Sequence, residues 1–420
     1  MPIRHADALP RAALPVTGLV LTGGGARAAY QVGVLKAVYR LLADRPQKLT
    51  ANPFDVICGT SAGAINATAL ACGAENPRGA MRRLLAIWEN LNTDRVYRAD
   101  SIGIIRSGAR WLSMLSFGWM LAKLRRDKPR SLLDNTPLAE LLALTMDFHQ
   151  LETNLNEGAL RALAVTASGY TSGRHLTFYQ STAEIAPWQR SLRLAVRERI
   201  TVEHLLASSA IPFIFPARRV RVGDYMEWCG DGAMRQLAPI SPAIHLGAHR
   251  VLVVGAGRSH ENPSAERDVG YPTLAQIGAH ALSNIFLDSL SADIEQLERT
   301  NRVAEVMTAE MREHLDVRPI AVLAITPSQN IDEIAARHVL DLPGTMRALL
   351  GGVGVSSGAG HSRGAGLVSY LLFEQGYTRE LIALGWDDTM ARADEVKAFF
   401  ADDAPPVGEK APFWPAASAA

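Results

Sequence analysis

The sequence predicts an α/β domain with a mainly parallel central sheet, and two observations lead to that fold class. Two successive units of apolar strand, glycine turn and helix occupy residues 18–71. Further along, apolar runs at 250–255 and 319–325 have the composition of central strands. A strand covered on both faces is a continuous apolar run, and alternation with helices is typical of a parallel sheet. Because no linker divides the first 330 residues, we expect one domain there.

The first elements are defined by hydrophobic spacing and by glycine. Residues 18–21 form a short apolar run that ends at a triple glycine, which predicts a buried strand followed by a turn. Apolar side chains then recur at helical spacing over 26–42. Residues 54–58 predict a second strand, and 62–71 predict a buried helix made of small residues.

The remaining elements follow from the same patterns. We predict helices at 78–91, 201–207, 274–299 and 363–400, and strands at 160–169, 176–179, 218–222 and 225–229. Gly223-Asp224 marks a hairpin turn between the last two of these strands. The predicted organisation is a leader at 1–16, a main domain at 17–330 with an insertion near 101–130, a helical C-terminal extension at 331–403 packed on it, and a flexible tail at 404–420.

Composition excludes several classes of protein. The chain has 420 residues, of which 48% are hydrophobic, and 43 basic residues nearly balance 42 acidic ones. Neither a mainly disordered chain nor a protein that coats nucleic acid has this balance. The cysteines, Cys58, Cys72 and Cys229, lack the spacing of a disulfide framework or a zinc site. We expect no metal and no cofactor.

Membrane-targeting signals are weak. The N-terminus carries Arg4, Asp7 and Arg11 and no apolar core of a signal peptide. Uncharged runs at 56–74 and 269–287 are 19 residues long, but small and polar residues fill them. We therefore predict neither a signal peptide nor a transmembrane helix, and a cytoplasmic location with peripheral contact on the inner face of the membrane.

Gly59-Thr60-Ser61-Ala62-Gly63 matches the pattern G-x-S-x-G between a predicted strand and a predicted helix. In that context small flanking residues permit a sharp turn that exposes the serine as a nucleophile, and the helix N-terminus favours developing negative charge. A glycine-rich turn without chemistry has the same five-residue pattern. Only one strand and one helix precede the strand that leads into Ser61, fewer than in an α/β-hydrolase.

A glycine loop, Gly23-Gly24-Gly25, follows the first predicted strand, and Arg27 lies just after it. A dinucleotide site requires an acidic residue at the end of the second strand, and a phosphate loop requires Gly-Lys-Ser/Thr. The chain has neither feature at these positions. Backbone amides at a helix N-terminus can instead stabilise an oxyanion. Arg27 either fixes this loop, adds positive potential, or is simply solvated.

A serine nucleophile needs a base, and Asp231-Gly232-Ala233 follows a predicted strand. An aspartate at a strand end can face Ser61, although Asp-Gly is also an ordinary turn dipeptide. Three histidines follow Asp231 in the sequence: His245, His249 and His260. A Ser–Asp–His triad is therefore an alternative to the dyad, unless these histidines are ordinary loop or surface residues.

The motifs GGGAR at 23–27, GTSAG at 59–63 and DGA at 231–233, in this order, resemble those of the patatin-like phospholipase family. The segment ASSAIPFIFP at 207–216 resembles the stretch that precedes the family's aspartate. The resemblance covers roughly residues 17–240. One departure is Ala28, where the family often has glycine; because alanine is small, we expect little effect.

This resemblance implies a three-layer α/β/α fold and a Ser–Asp dyad without a catalytic histidine. It implies Ser61 as nucleophile, Asp231 as base, and an oxyanion hole at the glycine loop. The assigned site residues are Ser61 and Asp231; Gly23, Gly24, Gly25 and Arg27 of the oxyanion hole; Gly59 and Gly63 of the nucleophile turn; and Gly232 and Ala233 of the aspartate motif.

The implied activity is that of a serine acyl-hydrolase on lipid esters, either phospholipid or lysophospholipid. Two alternatives stay open: a lipid-binding or scaffolding protein of the membrane surface with weak or no activity, and an acyltransferase or neutral-lipid esterase. The expected partner is a lipid or membrane surface, anionic in character, and no nucleic acid.

Residues 101–130 form a basic segment with seven Lys and Arg residues and one acidic residue, Asp127, a net charge of +6. Twelve uncharged residues rich in Trp, Met and Leu separate Arg110 from Lys123, too few to span a bilayer. Such a segment suits contact with anionic lipid or a lid over the serine, and equally a buried helical insertion with solvated ends. The candidate lipid contacts are Arg110, Trp111, Trp119, Lys123, Arg125 and Arg126.

Overall fold

The structure is a computed structural model that describes residues 15–43, 52–98, 131–257, 271–286, 288–315, 317–355 and 364–401. In these ranges the chain forms a ten-stranded mixed sheet with helices on both faces. The predicted fold class, α/β with a mainly parallel sheet and a helical C-terminal region, is confirmed. The basic segment at 101–130, His260, most of the leader and the tail at 404–420 lie outside the described residues.

The strands are numbered along the chain. They are β1 Thr17–Leu21, β2 Val56–Thr60, β3 Ala162–Gly169, β4 His175–Ser181, β5 Gln189–Arg190, β6 Arg193–Arg197, β7 Arg218–Val222, β8 Tyr225–Asp231, β9 Arg250–Val254 and β10 Ala321–Ile325. The main path of the sheet is β10-β9-β1-β2-β3-β4-β6-β5, and β8 pairs with β3 and β7. The five strands from β10 to β3 on this path are parallel.

The helices carry their own numbers. They are α1 Ala29–Leu42, α2 Ala62–Cys72, α3 Pro77–Glu89, α4 Thr136–Thr145, α5 Phe148–Asn156, α6 Val202–Ser208, α7 Ser241–His245, α8 Leu274–Phe286, α9 Asp288–Val306, α10 Ala309–His314, α11 Ile331–Arg337, α12 Gly344–Gly352, α13 Ala365–Leu371, α14 Gln375–Ala391 and α15 Ala393–Phe399. Short 3-10 turns lie at Gly25–Ala28, Thr93–Arg95, Gly232–Arg235 and Val339–Asp341.

Three layers arise because successive side chains of a strand point to opposite faces of the sheet. On β1, Leu19 and Leu21 join the larger apolar core, which includes α1, α2 and the C-terminal helices. Val20 joins a second core on the other face together with Ala243 of α7 and Leu290 of α9. Because both faces are covered, the central strands are buried along their whole length.

The carboxyl ends of the parallel strands meet at one edge of the sheet, and the motifs found in the sequence lie there. The glycine loop follows β1, and the G-x-S-x-G turn follows β2. The strand β8 enters from beyond this edge and runs antiparallel to the last residues of β3. The fold thus brings three separate sequence motifs to one end of the sheet.

The helix predicted over 363–400 is wrong as a single element. The described part of this region forms α13, α14 and α15. The chain leaves the helical path at Leu372, and Glu374 has an extended backbone. This break directs Phe373 into the core, where its ring packs against Trp88 and Tyr97. Helical spacing alone could not show that the aromatic residue is buried by a turn.

The helix predicted over 274–299 corresponds to α8 and α9, and α9 continues to Val306. Within the described ranges, no helix is both long and apolar enough to cross a membrane.

Candidate active site

Ser61 lies on a tight turn between β2 and α2, with φ of 55° and ψ of −129°. A positive φ is uncommon for a residue other than glycine, and such strain is concentrated at functional positions. The neighbouring glycines make the turn possible. A side chain at Gly63 would overlap the carbonyl oxygens of Leu21 and Thr22, and one at Gly59 would overlap Ala64.

Asp231 faces Ser61 because β8 meets β2 end to end. Thr60, the last residue of β2, pairs with Thr166 on β3. Asp231, the last residue of β8, pairs with Ala167, the next residue along β3. The two strands therefore occupy consecutive positions along one edge of β3, with their carboxyl ends together.

The two side chains are directly hydrogen-bonded. The Ser61 Oγ donates to Asp231 Oδ2 at 2.7 Å, and both residues are buried. The other carboxylate oxygen of Asp231 accepts the amide of Ala233 at 2.9 Å. Its own amide donates to the Ala210 carbonyl at 3.0 Å. The carboxylate is thus held in place from both sides of the strand end.

Burial has a large effect on the acidity of this carboxyl group. Desolvation raises the pKa of Asp231 to about 7, although hydrogen bonds from Ser61 and from the Ala233 amide favour the ionised form. An aspartate in water has a pKa near 4. A group with a pKa near neutrality can both accept and return a proton, which is what a general base and acid must do.

The glycine loop packs directly on the serine turn. Gly63 of that turn touches the carbonyls that lead into the loop, and Gly25 lines the same cavity as Ser61. Gly25 has φ of 55°, and a side chain there would overlap the Tyr370 carbonyl. Glycine is therefore required for conformation and for space at this position.

Arg27 is tied to the C-terminal helices. Its Nε donates to Ser369 Oγ at 2.8 Å, and its Nη2 lies 2.6 Å from Asp332 Oδ1. The guanidinium also stacks over the Tyr370 ring, 4.0 Å from its centroid. These contacts join the loop after β1 to α11 and α13, so they support the loop-fixing alternative for Arg27.

A cavity of about 710 Å³, part of it open to solvent, includes Ser61 in its wall. Apart from Ser61, Thr145 and Ser209, its lining side chains are apolar or aromatic. Ala62, Ile65 and Ala69 contribute one face of α2 to the wall. Eight residues of helix span about 12 Å, so the apolar wall extends about that far from the serine. The cavity wall has the apolar character that an acyl chain requires.

The sequence also matches a known family directly. A sequence model of the patatin-like phospholipases matches residues 19–244, more than half of the chain. The chain belongs to the patatin-like phospholipase family. Lipid acyl hydrolysis is the activity that this membership implies. No curated protein sequence matches the chain.

Solved structures resemble this patatin-like phospholipase distantly. VipD from Legionella pneumophila is 14% identical with a TM-score of 0.34, over 91% of this chain and 67% of that chain. Human GIVD cytosolic phospholipase A2, in complex with methyl gamma-linolenyl fluorophosphonate, is 14% identical with a TM-score of 0.41. This chain spans 59% of the human protein and aligns over 92% of its own length.

A third similar structure is a complex of full-length SpcU with full-length ExoU from the type III secretion system of Pseudomonas aeruginosa. It is 14% identical with a TM-score of 0.25, over 80% of this chain and 68% of that chain.

Two of the three candidate histidines of this patatin-like phospholipase lie at the opposite edge of the sheet. His249 Nδ1 accepts the amide of Val16, just before β1. His245 stacks on Trp188 at the end of α7. His175 is nearer to the site, but burial lowers its pKa to about 4. Among the described residues, no group of three or more His, Cys, Asp or Glu side chains could bind a metal ion.

Two hydrogen bonds to the turn at Thr60 and Ser61 were not predicted from the sequence. Ser208 Oγ accepts the Ser61 amide at 2.8 Å, and Gln236 Nε2 donates to Thr60 Oγ1, also at 2.8 Å. Ser208 belongs to the segment at 207–216 whose resemblance to the family is visible in the sequence. Gln236 lies five residues after Asp231 and carries no signal of its own.

Proposed function

We propose that this chain is a serine acyl-hydrolase that cleaves ester bonds of phospholipid or lysophospholipid through Ser61 and Asp231. The observation that carries the proposal is the 2.7 Å hydrogen bond between the two side chains at the wall of an apolar cavity. A buried nucleophile, a base with a pKa near 7 and an apolar cavity beside them are the components that lipid ester hydrolysis requires.

In the first half of the reaction, Asp231 accepts the proton of the Ser61 hydroxyl while Oγ attacks the ester carbonyl carbon. We assign the amides of Gly24 and Gly25 as donors to the resulting oxyanion, with Gly23 shaping the loop and Arg27 holding it. The tetrahedral intermediate collapses and breaks the bond to the lipid alcohol. Asp231 returns its proton to that leaving oxygen, which leaves an acyl-enzyme on Ser61.

In the second half, water replaces the lipid alcohol. Asp231 accepts a proton from water, and the hydroxide oxygen attacks the acyl carbonyl carbon. Collapse of this second intermediate releases a fatty acid and returns the proton to Ser61 Oγ. The acyl chain remains in the cavity beside α2 through both halves, so its length contributes to substrate choice.

A panel of lipids tests the activity, with released products identified by mass. Wild type should release fatty acid and the matching lysolipid or glycerophospho-alcohol, whereas Ser61→Ala should release neither. Ser241→Ala, on α7, where the hydroxyl lies beside His245 and not beside Ser61, is the matched control and should retain activity. Transfer of the acyl group to an alcohol instead of water would support the acyltransferase alternative.

Single replacements of His245, His249 and His260 by Gln test the dyad against a triad. Each variant should acylate at close to the wild-type rate. A loss with any one of them as large as that of Ser61→Ala would refute the dyad.

We further propose that the protein is cytoplasmic and acts at a lipid surface. The basic segment at 101–130 remains a predicted lid or anionic lipid contact. Deletion of 106–126 should weaken co-sedimentation with anionic liposomes; unchanged binding by a folded deletion variant would refute that role.

A further inference from the structure

The hairpin formed by β7 and β8 is amphipathic. Val220, Val222 and Cys229 face inward and pack with Ala207 of α6 and neighbouring sheet residues. The opposite face carries two cross-strand pairs, Arg219 with Trp228 and Arg221 with Met226. We name these four residues, together with Tyr170, the outer hairpin face.

The apolar residues of the outer hairpin face are unusually accessible. Trp228 is 49% exposed, Met226 45% and Tyr170 48%. The Tyr170 amide donates to the Trp228 carbonyl at 2.9 Å, and its ring covers Gly230. The face therefore continues from the hairpin onto the turn after β3, as one apolar surface of aromatic rings and a methionine.

The charge on this face is basic. Arg219 and Arg221 are both exposed, and within the described ranges neither forms an ion pair. Asp224 at the turn is acidic and exposed, and Glu198 accepts the amide of Gly223 beside it. The exposed acidic groups thus lie at the tip, and Glu227 is buried on the inner face, whereas the arginines alternate with the apolar residues of the outer face.

The hairpin begins at the active-site end of the sheet, and its inner face packs back on α6, β4 and β6, with Gly223 at its tip bonded to Glu198. Only Cys229, Gly230 and Asp231 of β8 pair with β3, and the rest of the strand extends beyond Gly169, the last residue of β3. The four residues of β8 beyond this pairing, 225–228, span about 13 Å. The base of the outer hairpin face, where Tyr170 bonds to Trp228, therefore lies at the edge where Ser61 and Asp231 are found.

We propose that the outer hairpin face docks on an anionic phospholipid surface and brings Ser61 to the membrane. Tryptophan and tyrosine favour the boundary between water and acyl chains, methionine inserts as an adaptable apolar group, and arginine binds phosphate in bidentate fashion. The choice of a lipid partner rests on the proposed function, because lipid is the substrate of the same site.

Vesicle binding by the full-length Ser61→Ala protein, which leaves the lipid intact, tests the proposal. Phosphatidylcholine vesicles with and without phosphatidylglycerol are sedimented with the protein. In this background Met226→Ser/Trp228→Ser should bind about tenfold more weakly. Arg219→Gln/Arg221→Gln should lose at least about fivefold on anionic vesicles only. Val306→Ser, at an exposed apolar position on α9, is the control and should bind normally.

Hydrolysis of a soluble short-chain ester by the Ser61-intact forms separates the two proposals. The hairpin variants should retain this activity and lose activity on vesicles. Vesicle binding through this face without any hydrolysis would refute the hydrolase and support the docking surface. Unchanged vesicle binding by both pairs of substitutions would overturn the docking surface. So would substitutions that convert a dimer in solution to a monomer and leave vesicle binding intact, because the face would then join two copies of the chain.

Discussion

Thr60 and Asp231 pair with consecutive residues of β3, one at the end of β2 and one at the end of an antiparallel strand. This end-to-end meeting of two strands places the carboxylate against the residue that follows Thr60. The hydrogen bond from Ser61 to Asp231 therefore depends on strand register. The proposed catalytic geometry is set by the sheet as much as by the loops.

The proposed role of Asp231 predicts the dependence of activity on pH. The ionised carboxylate is the base, and burial raises the pKa of Asp231 to about 7. The kcat/KM for a soluble ester should therefore rise about tenfold per pH unit below 7 and level off above it. After subtraction of the rate of Ser61→Ala, a profile that is flat from pH 5 to pH 8 would contradict this assignment.

The same pKa predicts a change in stability. Between the pKa of the unfolded chain, near 4, and that of the folded protein, near 7, the folded state binds more protons. The free energy of unfolding of the wild type should therefore fall as the pH rises through this window. Asp231→Asn has no carboxyl group to ionise at this position. Its free energy of unfolding, relative to that of wild type, should therefore rise by about 2 kcal/mol from pH 5 to pH 7. Urea unfolding at both pH values measures the difference, and an equal difference at both would be inconsistent with a buried, shifted carboxyl group.

Arg27 is expected to act as a positioning residue. Its bonds to Ser369 and Asp332 hold the loop of the proposed oxyanion hole, so Arg27→Met should lower kcat at least about tenfold with little change in KM. Arg27→Lys, which keeps the charge, should recover part of the rate. Glu380→Gln weakens the pairs that Glu380 forms with Arg337 and His338 in the same C-terminal region and serves as control. Equal loss in the control, or a loss confined to KM, would remove the positioning role.

A larger side chain in the cavity wall should change the preference for acyl chain length. Ala69 lies on the wall about two helical turns from Ser61. Ala69→Phe should reduce kcat/KM for long acyl esters about tenfold relative to short ones, because the larger side chain fills the space. Leu144→Phe, at an exposed position of the neighbouring α4, should leave the ratio unchanged. A uniform loss over all chain lengths would argue that the acyl chain lies elsewhere.

Eight of the ten described strands, and the placement of the glycine loop, Ser61 and Asp231 at one end of the sheet, could be predicted because each is marked by a local pattern. Apolar runs end at small residues where a parallel strand enters a turn, and these patterns need no knowledge of distant partners. Their order along the chain then indicated the family.

The supporting contacts were not predictable, because they arise from tertiary packing. Ser208 reaches the serine turn from α6, and Gln236 reaches it from the position just after the 3-10 turn that follows β8. Asp332 and Ser369 lie more than 300 positions from Arg27. The break at Phe373 was missed for the same reason, since burial beside Trp88 outweighs helical spacing.

Covalent labelling with a fluorophosphonate, read by intact-protein and peptide mass, tests the central claim most directly. Wild type should gain one adduct, located on Ser61, at a rate that rises with pH through about 7. Asp231→Asn should label far more slowly, and Ser61→Ala should not label. Equal labelling of Ser61→Ala, or an adduct on another residue of the wild type, would contradict Ser61 as the nucleophile.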